Sequence, residues 1–250
     1  MATVVLLRHA RSTANGSGVL AGRSPGVELD PSGHSQAAGL VDRLAGVPLA
    51  EIVSSPLTRC QRTVEPLARA RGLAVRSEAD LSEVDYGAWT GRELRTLVRE
   101  PLWTVVQQHP SAAVFPEGEG LATVQARAVA AVRAHDARIT AEHGAESVWL
   151  LCSHGDVIKS ILADALGQHL DSFQRIVVDP ASVSVVRYTD TRPFVLRIND
   201  TGGELASIVP RRPEPDERPG DATIGGDTGQ TGTGQTAQPG ESTESGERRA

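Results

Sequence analysis

Apolar residues fall along this chain in short dense blocks, separated by longer amphipathic stretches. The first block, Thr3 to Leu7 (T-V-V-L-L), is too short and too β-branched for a helix and reads as a buried strand. Ala50 to Val53 and Ser147 to Cys152 repeat that pattern, with Leu73 to Arg76 as a shorter case. Between them the period changes. Asp30 as N-cap and Pro31 at the first helical position open a helix to about Leu44, with Ala37, Leu40, Val41 and Leu44 on one face. Pro56 opens a second helix, to about Ala70, with Gly72 as its stop. A long Ala-rich helix is predicted over Leu121 to Glu142, and another, Asp156 to Leu166, follows the third strong strand directly. Gly16 to Gly26 reads as a Gly-rich loop, Arg92 to Val98 as a short helix, and Pro101 to Glu117 as irregular chain broken by Pro110 and Pro116. Ile176 to Val178, Ser182 to Tyr188 and Phe194 to Ile198 read as late strands. Strands alternating with helices predict an α/β fold whose mainly parallel sheet is covered on both faces.

The pattern ends near residue 209. From Arg211 to Ala250 only Ile224 is a large apolar residue, and such a segment cannot bury enough surface to offset its ordering entropy. The expected organisation is one catalytic domain, 1–209, and a disordered Gly/Pro/Thr/Glu-rich tail, 210–250, dispensable for activity. The tail holds five Arg against eight Asp or Glu, a net of −3 within the formal −6, so the domain is only mildly acidic. That argues against a nucleic-acid binder. No signal-peptide pattern and no apolar stretch approaching membrane-spanning length are visible, so a cytoplasmic protein without membrane contact is expected. Cys60 and Cys152 stand far apart with no C-x-x-C pair, which suits buried hydrophobes better than a disulfide or a zinc site.

Three predicted strands end in chemistry. Arg8-His9 follows the first, S-S-P-L-T-R-C-Q-R-T (Ser54 to Thr63) the second, and Ser153-His154-Gly155 the third. In a right-handed α/β sheet these junctions lie along one edge and converge. Arg59 falls in the first turn of its helix, near backbone N–H groups that suit an anion. Only Lys159 is a lysine, so a single Arg is weak evidence in this chain; two Arg, two His and the acidic loop L-S-E-V-D-Y-G-A-W-T-G (Leu81 to Gly91) together make a phosphoryl-transfer site. Guanidinium groups oppose the charge of a phosphate monoester, neutral imidazole attacks phosphorus in line, and a carboxylic acid protonates the leaving oxygen. Glu83 is the best-placed acid, with Asp85 behind it. With guanidinium groups and a second His supplying positive charge, no metal and no cofactor are required.

R-H-A-R-S-T-A-N, S-S-P-L-x-R-C-x-x-T, L-S-E-V-D-Y-G-x-W-x-G and C-S-H-G, in this order between Thr3 and Tyr188, resemble the histidine phosphatase (phosphoglycerate mutase-like) superfamily. The resemblance implies His9 as the phosphorylated nucleophile, Arg8, Arg59 and His154 as the phosphate pocket, and Glu83 as general acid and then base. It matches Asn15 and Ser12 or Thr13 to positions around the pocket; Arg62, one helical turn beyond Arg59, and Gly155 are further candidate substrate contacts. It also implies a sheet of about six strands with a small helical cap, and it extends to actinobacterial chains labelled phosphomutases. Ala10 and Arg11 depart from the family's Gly and Glu or Gln after the nucleophile. Arg11 is read as solvated, with a role toward an anionic substrate as the other possibility. Arg62 is read as a surface ion-pair partner at least as much as a substrate contact.

Surface or helix-end roles are expected for His34, His109, His135, His143 and His169, and a helix N-terminal charge for Asp156. Trp89 and Tyr86 suit the substrate entrance or the core equally. The family's mutases carry a long insertion with an Arg pair after the acidic loop; here Arg99 to Gly120 is short and contains only Arg99. Hydrolysis of a small phosphorylated metabolite is therefore favoured over phosphoglycerate mutase-type transfer. A non-catalytic phospho-ligand-binding protein stands as a reading from another class, opposed by the intact Arg8, His9, Arg59, Glu83 and His154 set. Specificity is expected around Trp89 to Phe115, and the late strands allow a homodimer or simple closure of the sheet.

Overall fold

A computed structural model describes residues 1–203; the expected tail lies outside the described residues. Six strands, β1 (Thr3–Arg8), β2 (Leu49–Ser54), β3 (Val75–Ser77), β4 (Val148–Ser153), β5 (Val183–Arg187) and β6 (Phe194–Asp200), form one sheet in the order β3-β2-β4-β1-β5-β6. β1, β2, β3 and β4 pair in parallel; on the far side of β1, β5 pairs antiparallel with it and β6 antiparallel with β5. The mainly parallel α/β fold is thus the observed one. β1 sits between β4 and β5 and is buried from Val4 onward, as its unbroken apolar run requires.

Helices cover the two faces. α2 (Pro31–Arg43) and α3 (Thr58–Arg71) pack on the side of Val5, Leu7, Ile52 and Leu150. α6 (Leu121–His143) and α7 (Gly155–Ala165) pack on the side of Val4, Leu6, Trp149 and Leu151. The alternation of successive β1 side chains between two cores follows from the two-residue period of a strand. Asp30 caps α2 by accepting from Gly33 N–H at 2.7 Å, with Pro31 in the first turn.

Several local expectations need correction. α3 starts at Thr58, with Leu57 in the extended N-cap conformation, although Arg59 still lies in its first turn. Gly16 and Ser17, at the start of the expected loop, close a short helix, α1 (Thr13–Ser17). The segment read as irregular contains α5 (Pro101–Gln108), for which Pro101 is a first-turn residue rather than a breaker. The short helix before it, α4, spans Leu94–Leu97. Ile176 to Val178 is not a strand; its Val178 carbonyl accepts from Arg8 Nη1 at 2.7 Å instead of joining a ladder. Tyr86, Trp89 and Phe115 are core residues, packed edge to face. His135 is buried within α6 and contacts Glu78 through Nε2 at 2.9 Å.

Among the described residues no helix is long and apolar enough to cross a membrane. Cys60 and Cys152 are buried free thiols.

Candidate active site

The carboxyl ends of β1, β2 and β4 lie side by side, Arg8 opposite Ser153 and Ser54 opposite Cys152. The residue after each strand therefore arrives at one place. His9 follows β1, Ser55 follows β2 and His154 follows β4; all three are buried. The two imidazole rings stand 5.2 Å apart between centroids, tilted by 59°.

Hydrogen bonding selects the tautomer of each ring. His9 Nδ1 lies 2.8 Å from the Ala10 carbonyl. A carbonyl only accepts, so Nδ1 carries the proton and Nε2 presents its lone pair. Arg59 Nε–H donates to that Nε2 at 3.3 Å, and Arg59 Nη2–H donates to His154 Nδ1 at 3.1 Å. His154 Nε2–H is left to donate to Ser55 Oγ at 2.8 Å. Arg59 Nη2 also reaches the Gly22 carbonyl at 2.8 Å. Ala10 N–H donates to Thr63 Oγ1 at 2.9 Å, fixing the backbone behind the ring to α3.

Electrostatics reinforce this picture. Burial, then Arg59 and Arg8, hold His9 well below the ordinary imidazole range. Burial, then Arg59 and the His9 ring, do the same for His154. Both rings are neutral at pH 7, and neutral imidazole is the nucleophilic form.

Glu83 is buried, with Oε2 3.9 Å from His154 Nδ1. Burial and the charge of Asp156 push its carboxyl up to about 7, with Arg59 pulling the other way. Its loop is held from behind. Arg127 of α6 donates to the carbonyls of Asp80, Ser82 and Glu83, and Arg23 donates to the Glu83 carbonyl at 2.9 Å. Glu119 joins the two guanidinium groups.

Arg8, His9, Arg59, Glu83, His154 and Gly155, the first residue of α7, thus come together. The other expected residues do not join them. Ser12 and Asn15 bond each other as the capping box of α1, and Thr13 is exposed. Arg62 is half exposed and pairs with Glu28 and Glu65. Arg11 pairs with Asp30 at 3.2 Å. Asp85 caps a turn by accepting from Gly87 N–H.

Ser55, Thr63, Gly22, Arg127 and Asp156 contribute without having been singled out for these roles. Ser55 and Thr63 stand inside a recognised motif, so that motif carried their signal. Arg127 stands in an Ala-rich helix whose sequence gives none.

The model of the histidine phosphatase superfamily (branch 1) matches residues 4–201, and the chain belongs to this superfamily. It is an enzyme of the phosphoglycerate mutase-like class. Phosphoserine phosphatase 1 of Hydrogenobacter thermophilus is 31% identical over 208 residues, which are 80% of this chain and 93% of that protein. A probable phosphoglycerate mutase GpmB of Proteus mirabilis is 28% identical over 214 residues, 84% of this chain and 96% of that one. The solved structure of Bacillus stearothermophilus YhfR superposes with a TM-score of 0.73 at 25% identity, covering 80% of this chain and 98% of its own.

Proposed function

We propose that this chain hydrolyses small phosphomonoesters through a phosphohistidine on His9, without a metal ion. The observation that carries this reading is the pair of contacts at His9: Nδ1–H on the Ala10 carbonyl and Nε2 facing Arg59. The first fixes which nitrogen attacks. The second puts a guanidinium where a phosphoryl oxygen needs one.

His9 Nε2 forms the N–P bond as the bond to the leaving oxygen breaks, and Glu83 gives that oxygen its proton. Glu83, now a carboxylate, takes a proton from water as the water attacks the phosphohistidine; phosphate leaves and Glu83 is again an acid. Arg8, Arg59 and His154 surround the transferred group, and two guanidinium groups match the charge of a monoester dianion. The similarity to a phosphoserine phosphatase supports an alkyl phosphate of a small metabolite as substrate.

The test is p-nitrophenyl phosphate hydrolysis in the presence of EDTA. Turnover is expected in the wild type, and His9→Ala is expected to lose it together with the acid-labile phosphoenzyme. Turnover retained by His9→Ala refutes the reading, and a wild type inert on a broad monoester panel favours the ligand-binding alternative.

The similarity to a phosphoglycerate mutase supports a second reading, transfer within a phosphoglycerate. Incubation with 3-phosphoglycerate separates the two: 2-phosphoglycerate appearing faster than free phosphate establishes the mutase.

A further inference from the structure

The His154 ring meets different partners at its two nitrogens. Nδ1 faces the site, 3.1 Å from Arg59 Nη2 and 3.9 Å from Glu83 Oε2, whereas Nε2 lies 2.8 Å from Ser55 Oγ. Ser55 is buried and fixed by its backbone: its N–H donates to the Cys152 carbonyl at 2.9 Å, and its own carbonyl accepts from Gln61 Nε2 at 2.7 Å. Its hydroxyl oxygen accepts from Leu57 N–H at 3.3 Å as well as from His154. Both contacts fall on the oxygen. Among the described residues, the hydroxyl hydrogen has no acceptor other than His154 Nε2 itself. Cys60 Sγ also lies 3.5 Å from that nitrogen, but its S–H is directed to the Ser153 carbonyl at 3.6 Å. A buried donor left idle is costly, and an idle donor beside a titratable ring points to a second arrangement that uses it.

We propose that Ser55 is a positioning residue that lets His154 exchange tautomers when a phosphoryl group enters the pocket. The proposal rests on the reading of this pocket as a phosphate site. A guanidinium only donates, so its contact leaves Nδ1 as a lone pair and the proton on Nε2. A phosphoryl group at His9 Nε2 claims the Arg59 donors, because Arg59 Nε already points at that nitrogen from 3.3 Å. Nδ1 then faces anionic oxygens, which offer lone pairs alone. Lone pair against lone pair repels, whereas Nδ1–H donates. Burial and the neighbouring Arg59 hold the ring well below the ordinary imidazole range, so it meets the anion with its single proton moved and not with a second one gained. Neutral imidazole exchanges that proton through water before the pocket fills; binding selects the tautomer, and no proton is consumed or released. Nε2 is now the acceptor, and the Ser55 O–H turns to donate to it. The oxygen need not move. A hydroxyl serves either tautomer from one position, and alanine serves neither.

The test follows His154 by long-range proton–nitrogen NMR of the full-length protein, titrated with inorganic phosphate at pH 8. Its resonances are assigned by their loss in His154→Gln. Before phosphate is added, Nε2 is expected to be the protonated nitrogen; at saturation, Nδ1. Nδ1 that stays bare while the His9 and His154 signals shift overturns the exchange and leaves the hydrolytic reading standing. Both nitrogens protonated at saturation make the ring an imidazolium and overturn it equally. Phosphate that moves neither ring refutes the phosphate pocket itself, and the exchange with it. Ser55→Ala is expected to weaken phosphate about tenfold in the same titration and to lose the exchange, whereas Ser55→Thr, which keeps the hydroxyl, stays within about threefold of wild type. An exchange and an affinity unchanged in Ser55→Ala overturn the role of Ser55. Should that variant not fold, the wild-type spectra decide alone.

Discussion

Arg59 Nε–H points at the lone pair of His9 Nε2 from 3.3 Å, while the same guanidinium reaches His154 Nδ1 at 3.1 Å and the Gly22 carbonyl at 2.8 Å. A planar fork serves three acceptors at once because its donors are fixed in direction. Arg59→Lys keeps the charge and loses the fork. Its kcat/KM on p-nitrophenyl phosphate is expected to fall roughly 100- to 1000-fold, with the thermal midpoint shifted little. A loss below fivefold shows that charge alone suffices.

The pH profile follows from two opposite shifts. His9 acts as neutral imidazole and lies well below the ordinary value of 6.5, so acidification through 6.5 leaves it competent. Glu83 acts first as an acid and is raised to about 7, so kcat/KM on esters with poor leaving groups falls as pH rises through about 7. Corrected for the ionisation of the substrate, the profile is expected to lack an acid limb at 6.5 and to show an alkaline limb near 7. An acid limb at 6.5 that disappears in His154→Ala places the ordinary histidine titration on the wrong side of this account.

Gly87 marks a close crossing of two backbones. Its φ is +50°, and a Cβ there would sit 2.0 Å from the Pro116 carbonyl oxygen. Opposite, a Cβ on Gly118 would meet the Asp85 carbonyl at 2.3 Å. Gly87→Ala is expected to cost about 2 kcal/mol or more, read as a lowered urea midpoint, and to weaken activity by displacing the loop that carries Glu83.

Glu51 receives both terminal nitrogens of Arg138, at 2.7 and 2.6 Å. Arg138 holds the Glu51 carboxyl down to about 2 from 4.5. A depressed carboxylate stabilises the fold above its unfolded value, and that contribution is lost as pH falls through the folded one. Glu51→Gln is expected to destabilise by about 1 kcal/mol at pH 7, with the difference from wild type shrinking as pH falls from 4.5 toward 2. A difference that does not vary with pH assigns the effect to packing.

The sequence made the strands and their chemistry legible for one reason. β1, β2 and β4 are unbroken apolar runs ended abruptly by polar residues, and a parallel sheet collects such ends at one edge. Arg8, His9, Arg59 and His154 were therefore readable as one cluster, whereas Glu83 is readable from its acidic loop and the family motif. The reversed direction of β5 was not readable, because strand direction leaves no trace in a period of two. α5 was hidden by the prolines around it, although Pro101 itself belongs to its first turn. Asp156 carried the pattern of a solvated helix-start acid; its partner Tyr86 lies 70 residues away, and no local signal announces such a bond. His135 reads as a surface or helix-end residue for the same reason, since its partner Glu78 lies 57 residues away.

Lys159 is the only lysine in the chain, and it is 2% exposed, held against Gln174 and Phe173. An amine-reactive dye added to the native protein accordingly labels the N-terminal amine alone, giving a uniform singly tagged preparation without mutagenesis. The second attachment requires the Leu170–Arg175 segment, whose Gln174 and Phe173 cover the amine, to move off α7. Its rate of acylation, followed by mass spectrometry, becomes a clock for the opening of the enzyme's core.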